Sequence, residues 1–302
     1  MKVLVMGGSG FIGSHVIDML LARGLRVVNF SRSVGPHPHS KVPFVQSDFH
    51  NTSKLSEAME GCETIVHCIS ETVPATSALD PALDVSTNLV GTIRLLELMK
   101  KKSINRLVYL SSGGVVYGVP KETPILESAN LSPISSYGAV KVAIENFIGV
   151  AQADWGLSAA ILRPSNPYGE RQGHKGIQGL IGTLLDKSFT GEPVTIFGDG
   201  GHVRDYLYVK DLAELVARVI DRPKDGVFNC GSGEGWSTNQ IIQIVEKVTG
   251  VELEKRYVGA RSFDVPTMIL DNSKAFEAFG WKSDTPMSEG IQCQLSALRQ
   301  SL

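Results

Sequence analysis

Short apolar runs and longer amphipathic stretches alternate along the first half of the chain. Val3-Leu4-Val5-Met6 is apolar at every position, as a strand covered on both faces requires. Residues 11–23 predict a helix that Gly24 closes. Arg26-Val27-Val28-Asn29-Phe30 predicts the next strand, and residues 42–45, 64–68, 106–110 and 158–162 predict four more. Helical stretches separate them at 54–60, 80–102 and 136–154. Strands alternating with helices imply βαβ units and an α/β, doubly wound parallel sheet.

After Arg163-Pro164 the pattern changes. Glycine and proline become dense, and the alternation returns only with a strand at 205–209, a helix at 212–220 and a strand at 227–230. Helices at 239–249, 273–279 and 288–298 close the chain. The expected division is a dinucleotide-binding domain over 1–165 plus about 205–230. A smaller, interleaved C-terminal substrate domain covers about 166–204 plus 231–302.

The composition narrows the function classes. The chain has 302 residues with 42% hydrophobic and 20% charged side chains, which excludes wholesale disorder. Its 29 basic and 31 acidic residues leave a net charge of −2. Without a basic excess a nucleic-acid partner is not expected. No apolar run spans a membrane, and the start of the chain does not read as a signal peptide. Cys62, Cys68, Cys230 and Cys293 show no metal-ligand spacing, so no metal is expected. A reduced, cytoplasmic setting follows.

The first candidate chemistry is Gly7-Gly8-Ser9-Gly10-Phe11-Ile12-Gly13, between a strand and a helix. Gly7 permits a sharp turn, Gly10 lets a pyrophosphate approach the backbone, and Gly13 lets the helix pack on the strand. The free N–H groups of the helix start, at Phe11 and Ile12, face the phosphates. This is the signature of a Rossmann dinucleotide site. The second strand of such a site ends in an acid that binds the ribose of NAD. Here it ends Phe30-Ser31-Arg32, and a guanidinium suits a 2′-phosphate. The charge pattern therefore leans to NADP, with a solvated Arg32 and bound NAD as the open alternative. Asp48 and Phe49, after the third strand, are candidates to flank the adenine.

The second is Tyr137-Gly138-Ala139-Val140-Lys141. Residues i and i+4 share a helix face. An ammonium beside a phenol favours the phenolate, so the pair can move a proton to and from a sugar hydroxyl.

With these motifs stand Ser111-Ser112-Gly113-Gly114-Val115-Val116-Tyr117-Gly118, Arg163-Pro164-Ser165-Asn166-Pro167-Tyr168-Gly169, and Gly198-Asp199-Gly200 through Arg204-Asp205-Tyr206. Together they resemble the extended short-chain dehydrogenase/reductases, in the branch of nucleotide-sugar epimerases and dehydratases, over nearly the whole chain. The resemblance implies roles. Tyr137 is the expected acid/base and Lys141 its partner, which also holds the nicotinamide ribose. Asn88 is expected near the nicotinamide. Asn166, Arg204, Arg261 and Asp264 are expected to hold the nucleotide-sugar substrate. A homodimer built on the helices at 80–102 and 136–154 is also implied.

There is one departure from the family pattern. Relatives carry Ser or Thr four residues before the tyrosine of the VYG segment, where this chain has Gly113. Ser112, one position earlier, is the candidate replacement, and Thr72 a weaker one. The acid pair of a 4,6-dehydratase is absent, since Gly114 and Val115 occupy its places. The expected reaction is thus 4-epimerisation of a nucleotide-sugar, a UDP-hexose first, with NAD or NADP recycled in each turnover. The alternative is an NADPH-dependent reductase of a nucleotide 4-keto-6-deoxysugar. A binding protein that has lost the chemistry is a third reading, against which the intact Tyr137 and Lys141 stand.

Overall fold

The computed structural model describes residues 1–172, 179–260 and 265–301. The first half runs β1 (Lys2–Met6), α1 (Phe11–Ala22), β2 (Arg26–Ser31), β3 (Phe44–Gln46), α2 (Thr52–Ala58), β4 (Thr64–His67), α3 (Pro74–Leu79) and α4 (Pro81–Asp84). A π-helical turn (Val85–Leu89) leads into α5 (Val90–Lys101), β5 (Arg106–Leu110), α6 (Ser136–Trp155) and β6 (Ser158–Pro164). Then come β7 (Asn166–Tyr168), α7 (Leu180–Thr190), β8 (Val194–Phe197), β9 (Val203–Tyr208), α8 (Val209–Asp221) and β10 (Gly226–Cys230). The chain closes with β11 (Gly235–Ser237), α9 (Thr238–Thr249), β12 (Lys255–Val258), β13 (Thr267–Met268), α10 (Ser273–Phe279) and α11 (Met287–Ser301).

Seven strands form one parallel sheet in the order β10-β6-β5-β4-β1-β2-β3. Its strands are covered on both faces, and the alternation of side chains shows how. Val3 and Val5 of β1 point into a core with Val16, Ile17 and Leu20 of α1 and Leu212, Leu215 and Val216 of α8. Leu4 and Met6 point the other way, into a core with Leu55 of α2, Leu95 and Met99 of α5, and Val140, Ile144 and Ile148 of α6. The strand order reverses between β1 and β4. In sheets of this kind ligands bind in the crevice at the carboxyl ends of the strands flanking that reversal.

The smaller part is built on β9. It pairs with β7 and β13 in parallel and with β11 antiparallel, while β8 and β12 form a separate parallel pair. Its core joins Ile181, Leu184 and Leu185 of α7, Ile241, Ile242 and Val245 of α9, and Ile291 and Leu295 of α11. The strand expected at 205–209 is β9 of this small sheet, whereas α8 and β10 return to the large one. No helix among the described residues is long and apolar enough to cross a membrane.

The one long helix expected at 80–102 is divided in the structure. Asp80 caps α4 by accepting from the Leu83 N–H, and Pro81 stands at the first helical position, where a missing N–H costs nothing. The π-helical turn then interrupts the ladder before α5 begins. Such turns concentrate at functional sites, and this one carries the buried Asn88.

Candidate active site

The glycine turn closes tightly at the end of β1. Gly7 has φ +80°, which glycine adopts without strain, and its carbonyl accepts from the Gly10 N–H. A Cβ on Gly13 would lie 2.2 Å from the Gly7 oxygen, so only glycine lets α1 sit this close to the strand. Gly10 is the N-cap of α1 and offers no side-chain cap, which leaves the first-turn N–H groups facing the crevice. A bare, positively polarised helix start fits a dinucleotide diphosphate.

Two recesses meet there. One is lined by Gly7, Ser9, Gly10, Ser31, Arg32 and Phe49, with residues 68–71 opposite. Ser31 also braces the turn: its Oγ accepts from the Ser9 N–H at 3.1 Å and donates to Asn29 Oδ1 at 3.0 Å. The other is a cleft of about 370 Å³ walled by Phe11, Ile12, Ser112, Tyr137, Asn166 and Tyr206, among others.

The catalytic candidates converge on this cleft because of how α6 starts. Ser135 caps the helix by accepting from the Gly138 N–H at 3.2 Å. A Cβ on Gly138 would stand 2.8 Å from the Val115 oxygen, so glycine brings the helix start against the 112–116 segment. Tyr137 and Ser112, both half-buried, thereby line one cleft. Gly113 does not point there. A side chain on it would collide with Leu270 at 2.5 Å and the Arg163 carbonyl at 2.9 Å. The hydroxyl absent at position 113 therefore has no room to be there, whereas Ser112 lines the cleft together with Ser111, Gly114 and Val115.

Lys141 is buried one turn below Tyr137. Its Nζ lies 5.6 Å from the Tyr137 ring centroid and 5.0 Å from that of Tyr109, and it donates to the Leu110 carbonyl at 3.0 Å. Burial works against its charge, but the oxygens of Tyr109 and Tyr137 and the Asp84 carboxylate outweigh that and raise its pKa. Lys141 is thus an ammonium at neutral pH. Burial pushes Tyr109 up to about 12, so that phenol stays protonated.

A second layer holds this arrangement. Arg163 of β6 donates to both carboxylate oxygens of Glu145, at 3.1 and 2.6 Å, and to the Tyr117 hydroxyl at 2.8 Å. Ser111 donates to the same Glu145, and Tyr117 to Asn229 at 2.6 Å. None of these contacts was foreseen from the sequence. The available signal was Glu145 itself, an acid on the α6 face that also carries the buried Val140, Lys141, Ile144 and Ile148.

His67, at the end of β4, is neutral. Its Nδ1 accepts from the Ile69 N–H at 3.3 Å, and Thr92 Oγ1, which itself donates to Asn88, lies 3.1 Å from Nε2. Burial, aided by the Lys141 charge, pulls its pKa down to about 3. The unfolded chain takes up the proton near pH 6.5, well before the folded one does. The stability due to neutral His67 is therefore intact above about pH 6.5 and is lost as pH falls toward 3. Denaturant titrations between pH 7 and 4.5 should show a steeper loss in the native chain than in a His67→Gln variant; equal slopes would contradict this.

The remaining predicted residues are placed unevenly. Phe49 is buried in the wall of the first recess, but Asp48 is exposed and caps the turn by accepting from the His50 N–H. Asn88 lines neither recess. Its side chain donates to Thr72 Oγ1 at 3.1 Å and Asp84 Oδ1 at 2.7 Å, and accepts from the Glu71 N–H at 2.9 Å. Thr72 is used up in that network. Asn166 faces the cleft and donates to the Asp205 carbonyl at 2.7 Å. Arg204 is absent from the cleft wall and donates to the carbonyls of Val203 and Val265. Arg261 and Asp264 lie outside the described residues.

This geometry has close relatives. A UDP-glucose 4-epimerase of Mycolicibacterium smegmatis is 33% identical over 303 residues, covering 96% of each chain. The solved UDP-glucose 4-epimerase of Thermotoga maritima with UDP-glucose is 32% identical, covers 100% of this chain and 99% of its own, and superposes with a TM-score of 0.95. That of Thermus thermophilus in complex with NAD is 33% identical, covers both chains fully, and gives 0.93. The family model described as NAD dependent epimerase/dehydratase matches residues 3–231. With most of its length matched by that model, this chain belongs to the NAD dependent epimerase/dehydratase family.

Proposed function

We propose that the protein interconverts the C4 epimers of a UDP-hexose with NAD recycled in each turnover. The observation that carries this reading is the convergence of Tyr137 and Ser112 on one cleft at the uncapped start of α1, with buried Lys141 below. The named activities of the relatives support the substrate class.

In this reading Tyr137 takes the proton from the sugar 4-hydroxyl and later returns it. Ser112 bonds the reacting oxygen and holds it toward Tyr137. Lys141 keeps a positive charge beneath the Tyr137 ring, 5.6 Å from its centroid. A nicotinamide dinucleotide held at the glycine turn would supply the acceptor, and then the donor, of a hydride at C4. Asn166, Arg204, Arg261 and Asp264 are assigned to the nucleotide half of the substrate, and the smaller sheet and its helices to the substrate domain. A sugar held by its diphosphate is free to present either face between the two transfers. The reductase alternative gains no support from the site, because Arg32, which suggested it, is already engaged by a carboxylate.

Incubation with UDP-glucose and no added cofactor should yield UDP-galactose by chromatography. No 4-epimer from UDP-glucose, UDP-N-acetylglucosamine or UDP-glucuronic acid would overturn the reading. Ser112→Ala should lower kcat by about 10- to 100-fold, the size of one hydrogen bond to a developing charge. An unchanged kcat would remove Ser112 from the mechanism.

We also assign a homodimer and a cytoplasmic setting. Support for the first is apolar surface on adjoining helices: Leu79 and Leu83 on α3 and α4, and Phe147 and Val150 on α6, are all exposed. Light scattering should give twice the monomer mass, and Val150→Glu should return the monomer. A native monomer would contradict the assignment. For the second, all four cysteines are free; fractionation of the host cells should leave the protein with the cytosol, and recovery outside it would contradict the assignment.

A further inference from the structure

The recess beside the glycine turn contains an opposed pair of charges that the reaction does not use. Arg32 Nη1 lies 2.6 Å from Glu71 Oε2. The arginine side chain is 64% exposed and the glutamate only 14%, so the acid is built into the wall and the guanidinium lies over it. These are the two charged side chains among the lining residues of that recess. Both are anchored through their backbones. The Glu71 N–H donates to Asn88 Oδ1 at 2.9 Å, and Asn88 is itself fixed by Asp84 and Thr72. The Arg32 carbonyl accepts from Gln46 Nε2 at 3.0 Å.

We infer that Glu71 is the residue that sets this site for NAD against NADP, by holding Arg32 away from a 2′-phosphate. The inference rests on the reading of the recess as the adenosine end of the dinucleotide site. A free arginine at the end of β2 would pair with a phosphate dianion on the ribose. Glu71 acts against that in two ways. It occupies donors of the guanidinium, and it places a carboxylate where a second anion would be repelled. A ribose with a free 2′-hydroxyl meets neither penalty. It also finds in Glu71 an acceptor of the type that the end of β2 lacks. Asn88 is then a positioning residue, since it fixes the segment that carries Glu71.

The test is a retention experiment on the full-length protein. Native, Glu71→Gln and Arg32→Ala/Glu71→Gln proteins are each equilibrated with equal excesses of NAD and NADP and desalted. The retained nucleotide is then identified by mass spectrometry. The native protein should retain NAD. Glu71→Gln should raise the NADP:NAD ratio by about tenfold, as expected for one partly exposed charge-assisted contact, and the double variant should lose that gain. An unchanged ratio in Glu71→Gln, or a gain that survives loss of Arg32, would overturn the inference while leaving the recess as a dinucleotide site. Retention of neither nucleotide by any of the proteins would overturn the reading of the recess, and the inference with it.

Discussion

Replacing Tyr137 with Phe is expected to lower kcat by about 10²–10⁴-fold, the range for loss of a positioned acid/base. The substitution removes one oxygen from a half-buried ring and leaves the Lys141 ammonium and the capped start of α6 in place. Substrate affinity and the melting temperature should therefore change little. Loss confined to kcat, with substrate binding intact by calorimetry, is what a group acting only in the proton transfer produces. A Phe variant with native turnover would show that the proton passes elsewhere, and Ser112 would be the next candidate.

Glu145→Ala should be the most destabilising of the substitutions considered. Its carboxylate and the Arg163 guanidinium form an ion pair in which the two side chains are only 5% and 4% exposed. Removing one member leaves the other charge buried without a partner, which costs about 3–5 kcal/mol. Ser111 loses an acceptor in the same step. The melting midpoint should fall by on the order of 10 °C. Asp154→Ala is the comparison, because Asp154 pairs with Lys100 on the surface, with side chains 59% and 54% exposed. That loss should be within about 1 kcal/mol. Equal destabilisation of the two variants would mean that the network beneath the cleft does not hold the site. Loss of Glu145 should also lower kcat, since Ser112 follows directly on the segment that Ser111 ties down.

The parallel sheet was legible because its strands are short, mostly apolar runs and its longer helices carry their periodicity over many residues. Short strands were not. The segments β7, β11 and β13 hold only two or three residues each, too few to display alternation, and they form by pairing with β9. The interruption of the 80–102 helix was also hidden, because no glycine or proline marks the π-helical turn at Val85–Leu89. In the site, motif spacing singled out Gly7, Gly10, Gly13, Tyr137 and Lys141, and the structure puts the glycines at the turn after β1, Tyr137 in the cleft wall and Lys141 beneath it. Ser112 was a candidate from the sequence, but where it points needed the structure. Sequence spacing counted it one position out of place; the structure leaves no room for a side chain at Gly113 and puts Ser112 in the cleft wall. Arg32 left NAD and NADP both open for a related reason. Its charge was visible, but its partner Glu71 lies 39 positions further along the chain, after β4, and meets it only in the fold.

The most direct test of the account follows the hydrogen at C4. UDP-glucose deuterated at C4 is incubated with the purified protein, and the UDP-galactose formed is examined by NMR. Hydrogen that leaves C4 for a recycled nicotinamide and returns should keep the label in the product, with no exchange into water and no net change in nicotinamide absorbance. Washing out of the deuterium, or stoichiometric consumption of a nicotinamide, would contradict 4-epimerisation by this route.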